Sequence, residues 1–220
     1  MVKVNSKMKD RPVRRHVEIG FGEGEILRRT KLREGRILEG VEHRSARRIK
    51  IPGVKLEYTG FEHWLKIAKN QSYSTVNAFY FFNNFLLMKY PGRTPGTINN
   101  AAAKKTLEEV LNKLAPGGRL NMTFYGKKIP ANMPLRIALK SALLPFQEAG
   151  FEVSFVKKLK PGELGTASCI HNGKNPNSDA LLFSFKRPKN KDIPLEAPKT
   201  NTIFIVDPTG RIEPKTLRVG

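Results

Sequence analysis

Apolar runs of strand length alternate along this chain with stretches in which apolar side chains recur every three or four residues. Residues 15–21 read as a buried strand, and 25–32 as a helix that follows a glycine-rich turn. Past Gly35, residues 36–42 form a second strand pattern, and Ser45 is placed to cap a basic helix. After Pro52-Gly53 comes a third strand, 54–59, and then a helix over 61–70 with Trp64, Leu65 and Ala68 at helical spacing. Residues 76–82, VNAFYFF, are the most apolar strand pattern, and their continuity suits a strand covered on both faces.

The clearest helix runs over 97–115. Leu107, Val110, Leu111 and Leu114 mark one face, and Pro116-Gly117-Gly118 stops it. A fifth strand over 119–124 and a helix over 134–149 follow, and two closing strands, 151–159 and 180–186, complete the set. Composition shifts to Pro and Lys at Arg187. The expectation is one domain over 1–187 with a basic arm at 1–14, then an extension over 188–220 whose Asp-Pro-Thr-Gly turn is patterned for a hairpin.

Seven strands alternating with helices imply an α/β fold with a mostly parallel sheet and right-handed crossovers, whose ligands sit at the carboxyl ends of the strands. The turn after strand one lies there and reads Glu18-Ile-Gly20-Phe-Gly22-Glu-Gly24-Glu25. Glycines permit close backbone approach, and a helix start offers free N–H groups. No Gly-Lys-Ser or Gly-Lys-Thr follows, which excludes a P-loop, and Glu25 stands where a dinucleotide fingerprint needs Gly or Ala. A zwitterionic ligand suits this acidic turn better than a pyrophosphate.

Charge narrows the partner. Forty Lys and Arg against nineteen Asp and Glu leave +21 at pH 7 over 220 residues, which favours nucleic acid over an anionic membrane or an acidic protein. No apolar run reaches the roughly 20 residues of a membrane span and the first residues lack a secretory core, so a cytoplasmic protein is expected. Cys169 is the single cysteine, which rules out an intrachain disulfide and a cysteine-based zinc site. His16, His43, His63 and His171 share no metal-ligand spacing, and no metal is expected.

Four ordered features resemble the class I S-adenosylmethionine-dependent methyltransferases. Glu18-x-Gly20-x-Gly22-x-Gly24 after an apolar strand is similar to the family's first motif, and Glu42 ends strand two where the family places a ribose-binding acid. Leu114-Ala-Pro-Gly-Gly before strand five and Glu148-Ala-Gly-Phe151 before strand six are similar to two further markers. The resemblance implies a seven-stranded, mostly parallel Rossmann-like methyltransferase sheet flanked by helices, with S-adenosylmethionine as cofactor. It implies Gly20, Phe21, Gly22 and Gly24 around that cofactor, Glu18 near its ammonium through water, and Glu42 on its ribose with His43 beside it. Phe61 and Glu62 are then implied at the adenine.

Within the family, Glu-Ile-Gly-Phe-Gly-x-Gly followed by Gly40-Val-Glu-His-Arg44 is most similar to the tRNA guanine-N7 methyltransferases. Their Phe-Pro-Asp-Pro-Trp after strand four is missing here. Asn83-Asn84-Phe85 is partly similar to the Asn-Pro-Pro-aromatic signature of exocyclic-amine methyltransferases, without its prolines. Asn83 and Asn84 are therefore candidates on the acceptor side, a helix cap being the plainer alternative, and Phe79 to Phe82 read as core. Arg44, Lys89, Arg93, Lys127 and Lys128 are candidates for holding an RNA backbone, while Arg47, Arg48 and Lys50 add to the charge after strand two. RNA is the expected partner ahead of DNA. A small-molecule or protein methyltransferase and a catalytically silent RNA-binding module remain as alternatives.

Overall fold

The structure, a computed structural model, describes residues 13–31, 33–79, 81–93, 98–125, 143–158, 180–189, 202–206 and 211–216. In chain order the elements are β1 (Arg14–Ile19), α1 (Glu25–Arg29), β2 (Arg36–Val41), β3 (Val54–Glu57), α2 (Phe61–Ile67), β4 (Tyr73–Ala78), α3 (Phe82–Lys89), α4 (Asn100–Lys113) and β5 (Leu114–Tyr125). There follow a helical stretch at 143–148, β6 (Glu152–Lys158), β7 (Ala180–Lys186), β8 (Thr202–Val206) and β9 (Arg211–Thr216).

All nine strands join one sheet in the order β3-β2-β1-β4-β5-β7-β6-β9-β8. The first five pair in parallel, and β7 lies antiparallel between β5 and β6. This is the expected mostly parallel set of seven. The two apolar arms near the C-terminus do form an antiparallel pair, and β9 continues the sheet through Val156 and Ile212.

The two faces of the sheet are unequal. Val17, Ile19, Val76, Ala78, Leu120, Met122, Phe183 and Phe185 pack with Phe61, Trp64 and Leu65 of α2, Phe82 and Leu86 of α3, Leu107 and Val110 of α4, and Leu143 and Phe146. The opposite face carries Glu18, Asn77, Asn121 and Ser184 in one transverse register row. Among the described residues its apolar cover is a small cluster of Phe21, Leu27 and Ile51 backed by Ile49, Val54, Leu56 and Tyr58, over β2 and β3. Gly40 allows it, since a Cβ there would meet Leu56, Phe21 and Leu27 at 2.8 to 2.9 Å.

Three sequence expectations are corrected. No helix follows Ser45. Residues 47–50 have no regular structure, and Ile49 and Ile51, two apart, both pack with Leu27 and Phe21, a spacing that suits extended chain rather than helix. Strand four ends at Ala78 and does not reach Phe82: Phe82, Phe85 and Leu86 have the spacing of a helix face and open α3. Nor is that strand apolar on both faces, for Thr75 and Asn77 alternate with buried Val76 and Ala78.

Other boundaries moved slightly. Asn99 caps α4 by accepting from the Ala102 amide at 3.2 Å. At its far end Lys113 donates to the Ala68 carbonyl and Asn70 Oδ1, at 2.8 and 2.9 Å, and β5 begins at once with Leu114. Of the helix expected over 134–149, 143–149 falls among the described residues; 143–148 is helical and Ala149 already lies in the turn that ends it.

Candidate functional site

The carboxyl ends of β1, β2 and β3 open into a cleft of about 460 Å³. The turn after β1 forms one side, and three of its residues, Gly20, Gly22 and Gly24, hold φ of +70°, +53° and +71°. A side chain at Gly20 would place Cβ 2.7 Å from Phe81 Cβ, and one at Gly24 would meet Ile51 Cδ1 at 2.5 Å. Glycine is thus required at both positions by backbone conformation and by packing within the protein itself. The ring of Phe21 turns away into the small cluster, edge-on to Tyr58 at 5.7 Å.

Glu42, one residue past β2, faces this turn. Its Oε2 accepts from the Gly22 amide at 2.7 Å and its Oε1 from the His43 amide at 2.8 Å. The carboxylate is therefore fixed in place by backbone, with lone pairs left over for a diol. Its own amide donates to Glu57 and its carbonyl accepts from Gly60, which ties the ends of β2 and β3 together. His43 lines the cleft with its Nδ1 2.7 Å from Ser45 Oγ.

Glu18 lies two residues before Gly20 at 4% exposure, and its Oε2 has no hydrogen-bond partner among the described residues. Burial pushes its carboxyl up from 4.5 to about 8, and the charge of Glu42 pushes in the same direction. A buried carboxyl without a partner is costly unless neutral or matched by a cation. Thr59 is a second polar group left unmatched: it lines the cleft and its hydroxyl is buried without a partner.

The far wall is aromatic. Phe61 is only 6% exposed but reaches the cleft, with Phe85 at 4.9 Å and Phe81 at 5.6 Å, both edge-on. Phe79 and Phe82 are core as expected, whereas Phe81 and Phe85 are cleft walls. Glu62 lines the cleft and makes an ion pair with Lys89, whose ammonium also lies over Phe85. Arg44 and Lys66 form an exposed cationic rim, with His63 between them along the lining.

Of the expected cofactor residues, Gly20, Glu42, His43, Phe61 and Glu62 line the cleft, whereas Glu18, Phe21, Gly22 and Gly24 do not. Asn83 and Asn84 stand on the first turn of α3, after Phe82, and Arg93 is exposed beyond that helix. Lys127 and Lys128 lie outside the described residues, as do Cys169 and His171. Thr59, His63, Lys66, Phe81 and Phe85 were not anticipated as site residues. Among the described residues there is no cluster of three or more His, Cys, Asp or Glu suited to a metal, and no helix long and apolar enough to cross a membrane.

No protein-family model matches the chain, and no curated protein matches it in sequence. The fold, however, is that of solved methyltransferases. The 16S rRNA methyltransferase KamB aligns with a TM-score of 0.56 at 11% identity, over 80% of this chain and 89% of its own. A 16S rRNA (adenine(1408)-N(1))-methyltransferase from Catenulisporales acidiphilia, solved with its cosubstrate S-adenosylmethionine, aligns at 0.52 with 12% identity, over 83% and 89%. An S-adenosylmethionine-dependent methyltransferase from Methanosarcina mazei aligns at 0.50 with 12% identity, over 82% and 95%. None of these three is by name a tRNA guanine-N7 enzyme.

Proposed function

We propose that this protein is an S-adenosylmethionine-dependent methyltransferase that modifies a base in RNA. The observation that carries the reading is two acids beside the glycine turn: Glu18, buried just before Gly20 and near enough to Glu42 to feel its charge, and Glu42 itself on the cleft wall. One is a buried carboxyl whose oxygen lacks a partner, and the other is a carboxylate held by two backbone amides with capacity to spare. An ammonium satisfies the first and a ribose diol the second. The Thr59 hydroxyl offers a further hydrogen bond, and Phe61, Phe81 and Phe85 give an apolar wall for adenine.

Bound in this way, the cofactor would supply an electrophilic methyl group on a sulfonium. The protein's contribution to an in-line displacement is then chiefly alignment and exclusion of water. Glu18 would hold the cofactor's ammonium and Glu42 its ribose. Asn83 and Asn84 are the acceptor-side residues in this reading, on the first turn of the helix that follows Phe81 of the cleft wall.

RNA as substrate is supported by the +21 charge, by the cationic rim of Arg44 and Lys66, and by the rRNA substrates named for two structural neighbours. The test is transfer of a labelled methyl group from S-adenosylmethionine to unmodified ribosomal RNA, transfer RNA and protein in parallel. Label in RNA, lost in Glu42→Ala, is the expected result. Label in protein alone would overturn the RNA assignment.

A further inference from the structure

The connection between β2 and β3 was expected as a basic helix and is instead a strap lying along the sheet face opposite α2, α3 and α4. Ile49 and Ile51 anchor it: their Cδ1 atoms crowd Gly24, and both pack in the cluster with Phe21 and Leu27. Because these inward residues are two apart, Arg48 and Lys50 are turned outward, and Arg44 and Arg47 precede them, all four exposed. None of the four forms an ion pair with a carboxylate among the described residues.

The strap is also held at its centre. The Tyr58 hydroxyl accepts from the Ile49 amide at 2.7 Å and donates to the Ile49 carbonyl at 3.3 Å. The same ring lies edge-on to Phe21 and carries the Arg48 guanidinium 5.6 Å from its centroid. Tyr58 therefore fixes an outward-facing basic segment in one conformation, and at the end nearest β2 that segment starts with Arg44 on the rim of the cleft.

Resting on the RNA reading above, we infer that the strap Arg44–Lys50 is the phosphate-binding element that holds the RNA backbone beside the cleft, with Tyr58 as its positioning residue. Unpaired arginines in a fixed row match a line of phosphates. Backbone contacts of this kind supply affinity and register while the cleft selects the base. An acidic peptide is the competing ligand, but its carboxylates offer no repeating spacing to a rigid strap.

The experiment measures binding of a fluorescently labelled single-stranded RNA across a salt series. The variants are Arg47→Ala/Arg48→Ala/Lys50→Ala, a control of equal charge change on the other side of the sheet, Lys69→Ala/Lys104→Ala/Lys105→Ala, and Tyr58→Phe. S-adenosylmethionine titration checks that each variant keeps its site. The strap triple is expected to lose roughly tenfold or more in affinity and to flatten the log–log salt slope by about 2, three contacts at about 0.7 each. The control should change little. Tyr58→Phe should weaken binding a few-fold with its charge unchanged, a loss that mere surface charge would not produce.

Equal losses in the strap and control triples would overturn the inference in favour of diffuse charge. A strap triple that binds as the wild type would overturn it directly, as would polyglutamate competing as well as RNA. Wild-type protein that binds no RNA at all would remove the RNA reading of the function along with it.

Discussion

The amide of Gly22 donates to Glu42 Oε2 at 2.7 Å, so the glycine turn after β1 and the acid after β2 form one unit. Replacing Glu42 by Ala removes two backbone hydrogen bonds at a solvent-facing position, which costs about 1 kcal/mol of stability. The cofactor loses its diol acceptor, and affinity is expected to fall more than tenfold. Calorimetry against S-adenosylmethionine beside a thermal melt separates the two effects. A collapsed melting temperature with the same loss of binding would mean that Glu42 is structural.

Glu18 makes the site sensitive to pH. With its carboxyl at about 8, the residue is largely neutral at pH 7, and an arriving ammonium favours the ionised form. Cofactor binding should therefore release close to one proton from this group near pH 7. Affinity should rise with pH and level off above about 8, changing by up to about tenfold per unit below that. Titrations in buffers of different ionisation enthalpy measure the release. Binding independent of pH between 6 and 8 would contradict the role given to Glu18.

The same group sets a stability trend without ligand. Its folded value is raised above the ordinary 4.5, so the folded state binds a proton more tightly than the unfolded chain does. This contribution is fully present below about 4.5 and is lost as pH climbs to about 8. Glu18→Gln keeps the neutral shape. It should raise the melting temperature of the ligand-free protein at pH 8 by a few degrees and leave it nearly unchanged at pH 4.

Thr59→Val replaces an unmatched buried hydroxyl by a methyl of the same shape. Stability should hold or improve slightly, whereas affinity for S-adenosylmethionine should drop several-fold through loss of one hydrogen bond. Unchanged affinity would show that Thr59 merely lines the cleft.

Gly20→Ala forces an alanine into φ +70° with its Cβ 2.7 Å from Phe81 Cβ. The left-handed conformation costs about 1–2 kcal/mol and the overlap about 1–3 kcal/mol more. Phe81→Ala keeps the Cβ contact but removes the ring, whose Cγ lies 3.0 Å from the added Cβ, so the double variant should be modestly less destabilised than the two single effects summed. Simple additivity would mean that the two residues are not in contact.

What was legible in the sequence is what repeats locally. Period-two and period-four patterns located all seven strands of the methyltransferase-like sheet, and an ordered glycine turn with Glu42 downstream located the head of the cleft. Tertiary contacts decided the rest. The strap at 47–50 reads as a helix until Ile49 and Ile51 are seen to share Leu27 and Gly24 as neighbours. FYFF reads as strand because consecutive apolar residues carry no period, and its break after Ala78 shows only in the helix face of Phe82, Phe85 and Leu86. Thr59, His63 and Lys66 became cleft residues because β3 pairs with β2, a long-range event that no local motif encodes. The resemblance to tRNA guanine-N7 enzymes rested on short peptides around Gly20 and Glu42, which the proposed reading assigns to the cofactor end of the cleft rather than the acceptor end.

The most direct test of the account is calorimetric titration of the wild-type protein with S-adenosylmethionine, with NAD as the control. Micromolar binding of S-adenosylmethionine alone, lost in Glu42→Ala and dependent on pH through Glu18, is the predicted result. No binding, or equal binding of NAD, would contradict it and leave a methyltransferase fold without the cofactor site assigned to it.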